Sequence, residues 1–105
     1  ECGEGYGSKV FQEWMISDKT PQELLDDLKR QFVLGGHKAA AISKVSTWAE
    51  IILVTSPVLA EEKMVGMTVT NSLELALQRA QAILGSDFAY AVFPLGASTL
   101  PKVVN

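Results

Sequence analysis

Two short segments of this chain contain the residue types from which a ligand site could be built. The first is residues 3–8, GEGYGS, in which three alternate glycines precede a helical apolar pattern. Free backbone amides at such a helix start could bind an anionic group, and Glu1 and Glu4 could exchange protons. The spacing is neither that of a dinucleotide-binding fingerprint nor that of a phosphate-binding P-loop. A plain strand-to-helix turn also explains the glycines, and acidic residues beside a helix start often serve its dipole.

The second segment is the pair His37 and Lys38, which follows Gly35 and Gly36. Either side chain could project into a cleft at the carboxyl side of a sheet. Acid–base catalysis by His37 needs a positioned partner, and the sequence identifies none. The alternative is a surface pair at the start of a helix. We therefore predict no catalytic residue in this chain.

Single copies of Cys and His limit the chemistry further. Cys2 has no partner for an internal disulfide, and Cys2 with His37 cannot complete a four-ligand zinc site without carboxylates or a second chain. The serines lack a nucleophile elbow, and one histidine cannot serve several triads, which disfavours hydrolase chemistry. We predict no metal site in this chain and a reduced, cytoplasmic setting.

The overall composition is that of one globular domain: 105 residues, 48% hydrophobic, 20% charged, with net charge -3. Nine basic residues against twelve acidic ones leave no electrostatic footprint for nucleic acid. The central apolar run, Ile51 to Val54, is far shorter than the roughly 20 residues that cross a bilayer. Nucleic-acid and membrane partners are therefore not expected.

The positioning elements follow from periodicity and capping signals. The first half of the chain predicts three helices. The signals are helical spacing over residues 10–15, a capping box at 20–23 and small residues at 37–45. Gly35 and Gly36 are predicted to end the second helix. The predicted apolar stripe of the third helix is Ala41, Ile42 and Val45.

The second half of the chain contains two strand signals. Residues 51–55 read as a strand covered on both faces, and residues 88–93 as an aromatic-rich strand. Between them the sequence predicts a short helix from Ser56 to about Lys63 or Val65, an extended link at 67–69 and a capped helix over 71–84.

The alternation of strands and helices predicts a three-layer, Rossmann-like α/β fold with a mostly parallel sheet. Residues 51–55 and 88–93 are expected to be neighbouring or near-neighbouring parallel strands, with the 71–84 helix crossing between them. Two strands are too few, so upstream sequence should complete the sheet. The glycine loop and His37 should share one edge. The predicted buried residues are Leu24, Leu28, Phe32, Ile52, Val54, Leu77, Ala80 and Val92.

Several motifs occur in a familiar order: Glu-Cys-x-Glu-Gly-x-Gly-Ser at 1–8, Phe-x-x-Trp at 11–14, Gly-Gly-His-Lys-Ala at 35–39, Ile-Ile-Leu-Val-x-Ser at 51–56 and Phe-Pro-x-Gly at 93–96. In order and spacing the chain resembles the carboxyl-terminal domain of the nickel-pincer-nucleotide lactate racemases. The similarity covers nearly the whole chain, including Met67-Thr68 and the segment from Asn71 to Ala76.

The resemblance implies a two-domain enzyme that racemises or epimerises a 2-hydroxy acid by hydride transfer, with its site between the domains. In that family the cofactor-tethering lysine, the paired proton-transferring histidines and the nickel-binding histidine belong to the amino-terminal domain. The 105-residue chain is then inactive alone, and its partners are that domain and a small 2-hydroxy acid. The residues that match the family pattern and edge the cleft are His37, Lys38, Glu4, Gly5, Gly7 and Ser8.

We therefore expect residues 1–105 to be one domain, or most of one, at the carboxyl end of a longer two-domain protein. Some members of the family carry a Trp near the position of His37, so the substrate need not be lactate. Two alternatives stay open: a small anion- or nucleotide-binding module built on the glycine loop, and a non-catalytic docking domain in which Trp14 and Trp48 bury against a partner.

Overall fold

The computed structural model describes residues 5–57 and 63–104. Within them the fold is mixed α/β, with four helices and one two-stranded parallel sheet. The elements in chain order are α1 Lys9–Met15, α2 Pro21–Arg30, α3 Gly36–Ser46, β1 Ile52–Val54, β2 Thr68–Thr70 and α4 Leu73–Leu84, followed by a 3₁₀ turn Gly96–Ser98.

Helices α1, α2 and α4 form where the sequence predicts them. Ser8 caps α1 by accepting a hydrogen bond from the Phe11 amide. Thr20 and Glu23 form the predicted reciprocal capping box at the start of α2, and Ser72 accepts from the Leu75 amide at the start of α4. These side chains satisfy amide donors that have no partner within the helix. The prediction of these three helices is confirmed.

The end of α2 differs from the prediction. The helix stops at Arg30 with Gln31 already extended, and Gly35 begins α3 instead of closing α2. Gly35 has a φ of 93°, a conformation that glycine adopts without a steric penalty. Phe32 therefore lies in a loop and is 67% exposed, so its predicted burial is wrong.

Helix α3 buries a different face from the one predicted. Its buried residues are Gly36, Ala39, Ala40 and Ser43, whereas Ala41 and Val45 are exposed and Ile42 is half-buried. The buried face consists of small residues because the helix lies close against its neighbours. A methyl group at Gly36 would meet the Trp14 ring at 2.8 Å.

The sheet is parallel, as predicted, but its second strand is not residues 88–93. Ile52 pairs with Thr68, Leu53 with Val69 and Val54 with Thr70. The segment 67–69, predicted as an extended link, thus contributes to β2. Neither strand is fully buried, and Val54 is exposed, so the expected cover on both faces is absent among the described residues.

Residues 88–93 form no strand and are exposed throughout, which makes that strand prediction wrong. The α4 helix consequently does not cross between paired strands. Its predicted inner residues Leu73, Leu77 and Leu84 are exposed, and only Ala76 is buried. Every described residue from 81 to 104 is exposed.

The core lies between α1, α2, α3 and the turn that precedes β2. Its buried apolar members are Met15, Leu24, Ala39, Met64 and Val65. Of the predicted buried residues only Leu24 is buried; Leu28, Ile52 and Ala80 are half-buried, and Phe32, Val54, Leu77 and Val92 are exposed. The predictions fail mainly in the second half of the chain, where apolar faces lack cover.

The short helix predicted from Ser56 falls largely on residues 58–62, outside the described part of the chain. Gly66 ends the predicted segment with a φ of 72°, inside the turn that leads to β2. Across the described ranges, none of the helices combines the length and apolar character needed to pass through a bilayer.

Candidate functional site

The described part of the glycine loop begins at Gly5. Gly5 and Gly7 have φ values of 60° and 73°, and a methyl group at either position would meet no atom within 4 Å. A side chain would have space at both positions, so it is the positive φ values that favour glycine here. Tyr6 between them is half-buried and packs edge-on against Phe11 with ring centroids 6.1 Å apart. Glu4, predicted at the cleft edge, lies outside the described residues.

The turn from Gly35 to His37 is held by its own hydrogen bonds. The Gly35 amide donates to Nδ1 of His37 at 3.1 Å, and the Lys38 amide donates to the Gly35 carbonyl at 3.3 Å. The His37 ring is half-buried and stacks on Phe32 at 5.7 Å. The Nδ1 atom is therefore an acceptor for the backbone, which leaves Nε2 as the nitrogen available to a ligand. Lys38 is exposed.

The structure brings the two predicted segments together. A methyl group at Gly35 would lie 3.0 Å from Ser8 Oγ and 3.1 Å from Val10 Cβ, so the turn rests on the start of α1. Ser8 Oγ itself faces the Phe11 amide as a helix cap. The end of the glycine loop and the turn before His37 are therefore in contact. The placement of His37 on the same edge as the loop stays a prediction.

The other side of the glycine loop lies beside the carboxyl end of β1. Gly5 and Tyr6 line a cavity of about 110 Å³ together with Leu53 and Thr55. Thr55 follows the last strand residue, and its amide donates to the Thr70 carbonyl at 2.9 Å. Ligand sites of parallel α/β proteins gather at this end of the strands.

Thr55 is the residue of this region that the sequence reasoning missed. Its Oγ1 atom is buried and has no hydrogen-bond partner among the described residues. The available signal was positional, because Thr55 is the first polar residue after the apolar run 51–54.

The described residues do not fit the task of holding nickel. Over 5–57 and 63–104, no three side chains from His, Cys, Asp and Glu come together in a metal-holding group. His37 already uses Nδ1 within its turn. We therefore assign no metal ligand among the residues that the structure describes.

The clearest electrostatic features lie away from the loop surface. Lys19 donates a hydrogen bond to Asp27 and, with Arg30 nearby, holds the pKa of that carboxyl below its ordinary value. Arg79 on α4 donates to Oε1 of Glu50 from Nε at 2.9 Å and from Nη2 at 2.7 Å, and this lowers the Glu50 pKa. Both carboxylates form ion pairs on the surface that connect separate segments of the chain.

Comparison of the chain with family models, with curated proteins and with solved structures finds no match. The family resemblance read from the order of the motifs therefore stays a prediction.

Proposed function

We propose that this chain is the carboxyl-terminal domain of a 2-hydroxy acid racemase or epimerase similar to the nickel-pincer lactate racemases. In this proposal the loop surface around Gly5, Gly7, Ser8 and His37 closes one side of a cleft whose catalytic groups belong to an amino-terminal domain. The observation that carries the proposal is the contact between the glycine loop and the Gly35–His37 turn. Ser8 at the end of the loop and Gly35 of the turn, 27 residues apart in sequence, lie against each other.

The roles of the individual residues follow from their contacts. His37 presents Nε2 and its Phe32-stacked ring to the cleft, so it contacts substrate or shapes the pocket and exchanges no proton. Ser8 and the two glycines fix the course of the loop. Lys38 is exposed beside His37 and provides positive charge for a carboxylate substrate.

The exposed apolar side chains in the second half of the chain are evidence for a large partner surface. The accessible surface is 8068 Å², whereas the scaling for folded monomers gives about 5800 Å² for a chain of 11.4 kDa. The radius of gyration is 15.0 Å, against about 13 Å for a compact domain of this length. An excess of about 2300 Å² is comparable to one side of an obligate interface.

In this proposal the amino-terminal domain supplies that cover. The apolar side chains of α4 and the strand-like segment 88–93 pack against it, and the three-layer, mostly parallel sheet is completed there, in a cytoplasmic enzyme. The same uncovered surface favours a second candidate, a docking domain without any part in catalysis. The loop surface separates the two, because a docking domain does not need His37.

The test uses the intact parent protein, matured with its cofactor, and follows loss of optical activity of single enantiomers of 2-hydroxy acids. We expect racemisation, and a gene that encodes the tethering lysine and paired histidines upstream of Glu1. A reading frame without them would contradict the proposal.

Substitution separates the cleft role from the docking role. We expect His37→Ala to raise KM or change substrate preference by about tenfold, with turnover at saturation nearly unchanged. The matched control is Lys29→Ala, on the exposed face of α2, which should change neither parameter. Unchanged kinetics in both variants would support the docking domain, and a loss of turnover with unchanged cofactor content would place His37 in proton transfer.

A further inference from the structure

A groove lies between helices α1 and α2. Both helices pack against α3 but little against each other, so the space between them stays open. Its volume is about 590 Å³, which is within the range of small-molecule sites. The described residues that line it include none of those assigned to the cleft of the proposed function. The groove is therefore a separate candidate site.

Part of the groove lining is apolar. Trp14 of α1, Leu24 of α2 and Val33 of the following loop contribute to it. Trp14 is half-buried, and the six-membered ring of its indole is backed by Gly36 of α3, where an added methyl group would lie 2.8 Å from the ring. The indole therefore offers a fixed surface for an apolar or aromatic group of a ligand.

The charged residues that line the groove carry both signs. Two are positive, Lys19 and Arg30, and two are negative, Glu13 and Asp27. Asp27 pairs with both cations and keeps them beside the groove. Because the four formal charges cancel, a ligand with a single charge meets repulsion as well as attraction, whereas a zwitterion can pair with both signs.

Both signs retain capacity for a ligand. Within the described residues Arg30 donates from Nη2 alone, to Asp27, so the rest of its guanidinium is available to a carboxylate. Glu13 pairs with Lys9 at 3.9 Å, and both of these side chains are exposed. Exposed pairs of this kind contribute little, so an ammonium group of a ligand can replace Lys9.

We propose that this groove binds a zwitterion of the amino acid class, a free amino acid or a dipeptide, with a large apolar side chain. The carboxylate of the ligand pairs with Arg30, its ammonium group pairs with Glu13, and its apolar side chain packs on Trp14. Pairing at both ends selects against molecules that carry only one of the two charges.

The fluorescence of Trp14 reports binding directly. Trp48 is 76% exposed and is the second tryptophan of the chain, so Trp48→Phe leaves a single indole at little cost to the fold. This form of the 105-residue chain is titrated with L-phenylalanine and with leucylphenylalanine. We expect a saturable change with at least one of them, and the tighter binder shows whether the ligand is an amino acid or a dipeptide.

Two analogues test the need for both charges. Phenylpropionate lacks the ammonium group, and phenethylamine lacks the carboxylate. Each should bind about tenfold more weakly than the better zwitterion, because one of the two ion pairs is missing.

Two substitutions in the same background assign the ends of the ligand. Arg30→Gln should weaken binding about tenfold and Glu13→Gln about fivefold, since each removes one charge from the groove. The matched control is Lys29→Gln, which removes a charge next to Arg30 and should bind within about twofold of the parent form. All three positions are exposed, and circular dichroism checks that each variant folds.

Three results would overturn the proposal: fluorescence changes that do not saturate with either zwitterion, equal binding by one of the analogues, or Arg30→Gln and Glu13→Gln forms that bind as tightly as Lys29→Gln. None of these bears on racemisation by the parent protein, so the two proposals fail independently.

Discussion

The two halves of this molecule are both rich in apolar residues but use them differently. In the half built from α1, α2 and α3, residues such as Met15 and Leu24 are buried, and small residues allow close helix contact. In the half that follows β2, Leu73, Leu77 and Leu84 repeat at helical spacing and stay exposed. An apolar stripe therefore predicts a face that needs cover, and the cover need not come from the same segment of chain.

The largest expected difference between the halves is in the free energy of unfolding on truncation of a leucine. Leu24 is 1% exposed and Leu77 is 60% exposed. Leu24→Ala removes buried methyl groups and leaves a cavity, so we expect a loss of about 2–5 kcal/mol. Leu77→Ala should change stability by less than about 0.5 kcal/mol. Urea unfolding of the 105-residue chain, followed by circular dichroism, measures both.

Equal losses in the two variants would mean that the face of α4 is covered in solution, for example by self-association. Repeating the Leu77→Ala measurement over a range of protein concentrations separates these cases, because an association contribution depends on concentration.

Sequence reasoning succeeded where the deciding interaction is local. The predicted Thr20–Glu23 capping box and the capped start of α4 at Ser72 involve residues three positions apart, and both are present. It failed where the deciding partner is distant. Residues 88–93 have strand composition, but a strand also requires a neighbour, and the described residues provide none.

The candidate site shows the same division. The sequence predicts that the glycine loop and His37 share one edge, and the contact of Gly35 with Ser8 relates the two segments. The buried Thr55 hydroxyl was not, because its isolation depends on which side chains surround it in space. The prediction of the buried face of α3 was also wrong. That face is set by the close approach of Trp14 and α2 to Gly36 and Ala39, which periodicity does not reveal.

The second prediction concerns the close packing of the first half. Gly36→Ala places a methyl group at 2.8 Å from the Trp14 ring and should destabilise the chain by about 1–3 kcal/mol. Gly96→Ala is the matched control, since no atom lies within 4 Å of the added methyl group. Thermal unfolding of both variants gives the comparison.

The cause of the Gly36→Ala effect is checked by relieving the contact. Adding Trp14→Leu to Gly36→Ala should cost less than the sum of the two single substitutions. Additive losses would show that the Trp14 ring already moves aside, and that the first half packs more loosely than the contact distance implies.

The smallest expected effect concerns the ion pair between Glu50 and Arg79, which connects α4 to the segment before β1. Glu50 precedes β1 and accepts hydrogen bonds from Arg79 on α4 and from Thr68 of β2 at 2.9 Å. The Arg79 hydrogen bonds, followed by that of Thr68, lower the Glu50 pKa from its ordinary value of 4.5. The carboxylate thus favours the folded state above pH 4.5, and this contribution is lost as the pH falls through the lowered pKa.

Because the pair is exposed, the expected contribution is small and weakens with salt. Carboxyl ¹³C shifts of Glu50 measured against pH should give a midpoint below 4.5 in the unmodified chain. Arg79→Gln should move that midpoint upward more than Thr68→Val does, since the Arg79 hydrogen bonds are the larger cause. If both substitutions leave the midpoint unchanged, Glu50 and Arg79 are separated in solution, and the contacts of α4 with β1 and β2 hold it without this ion pair.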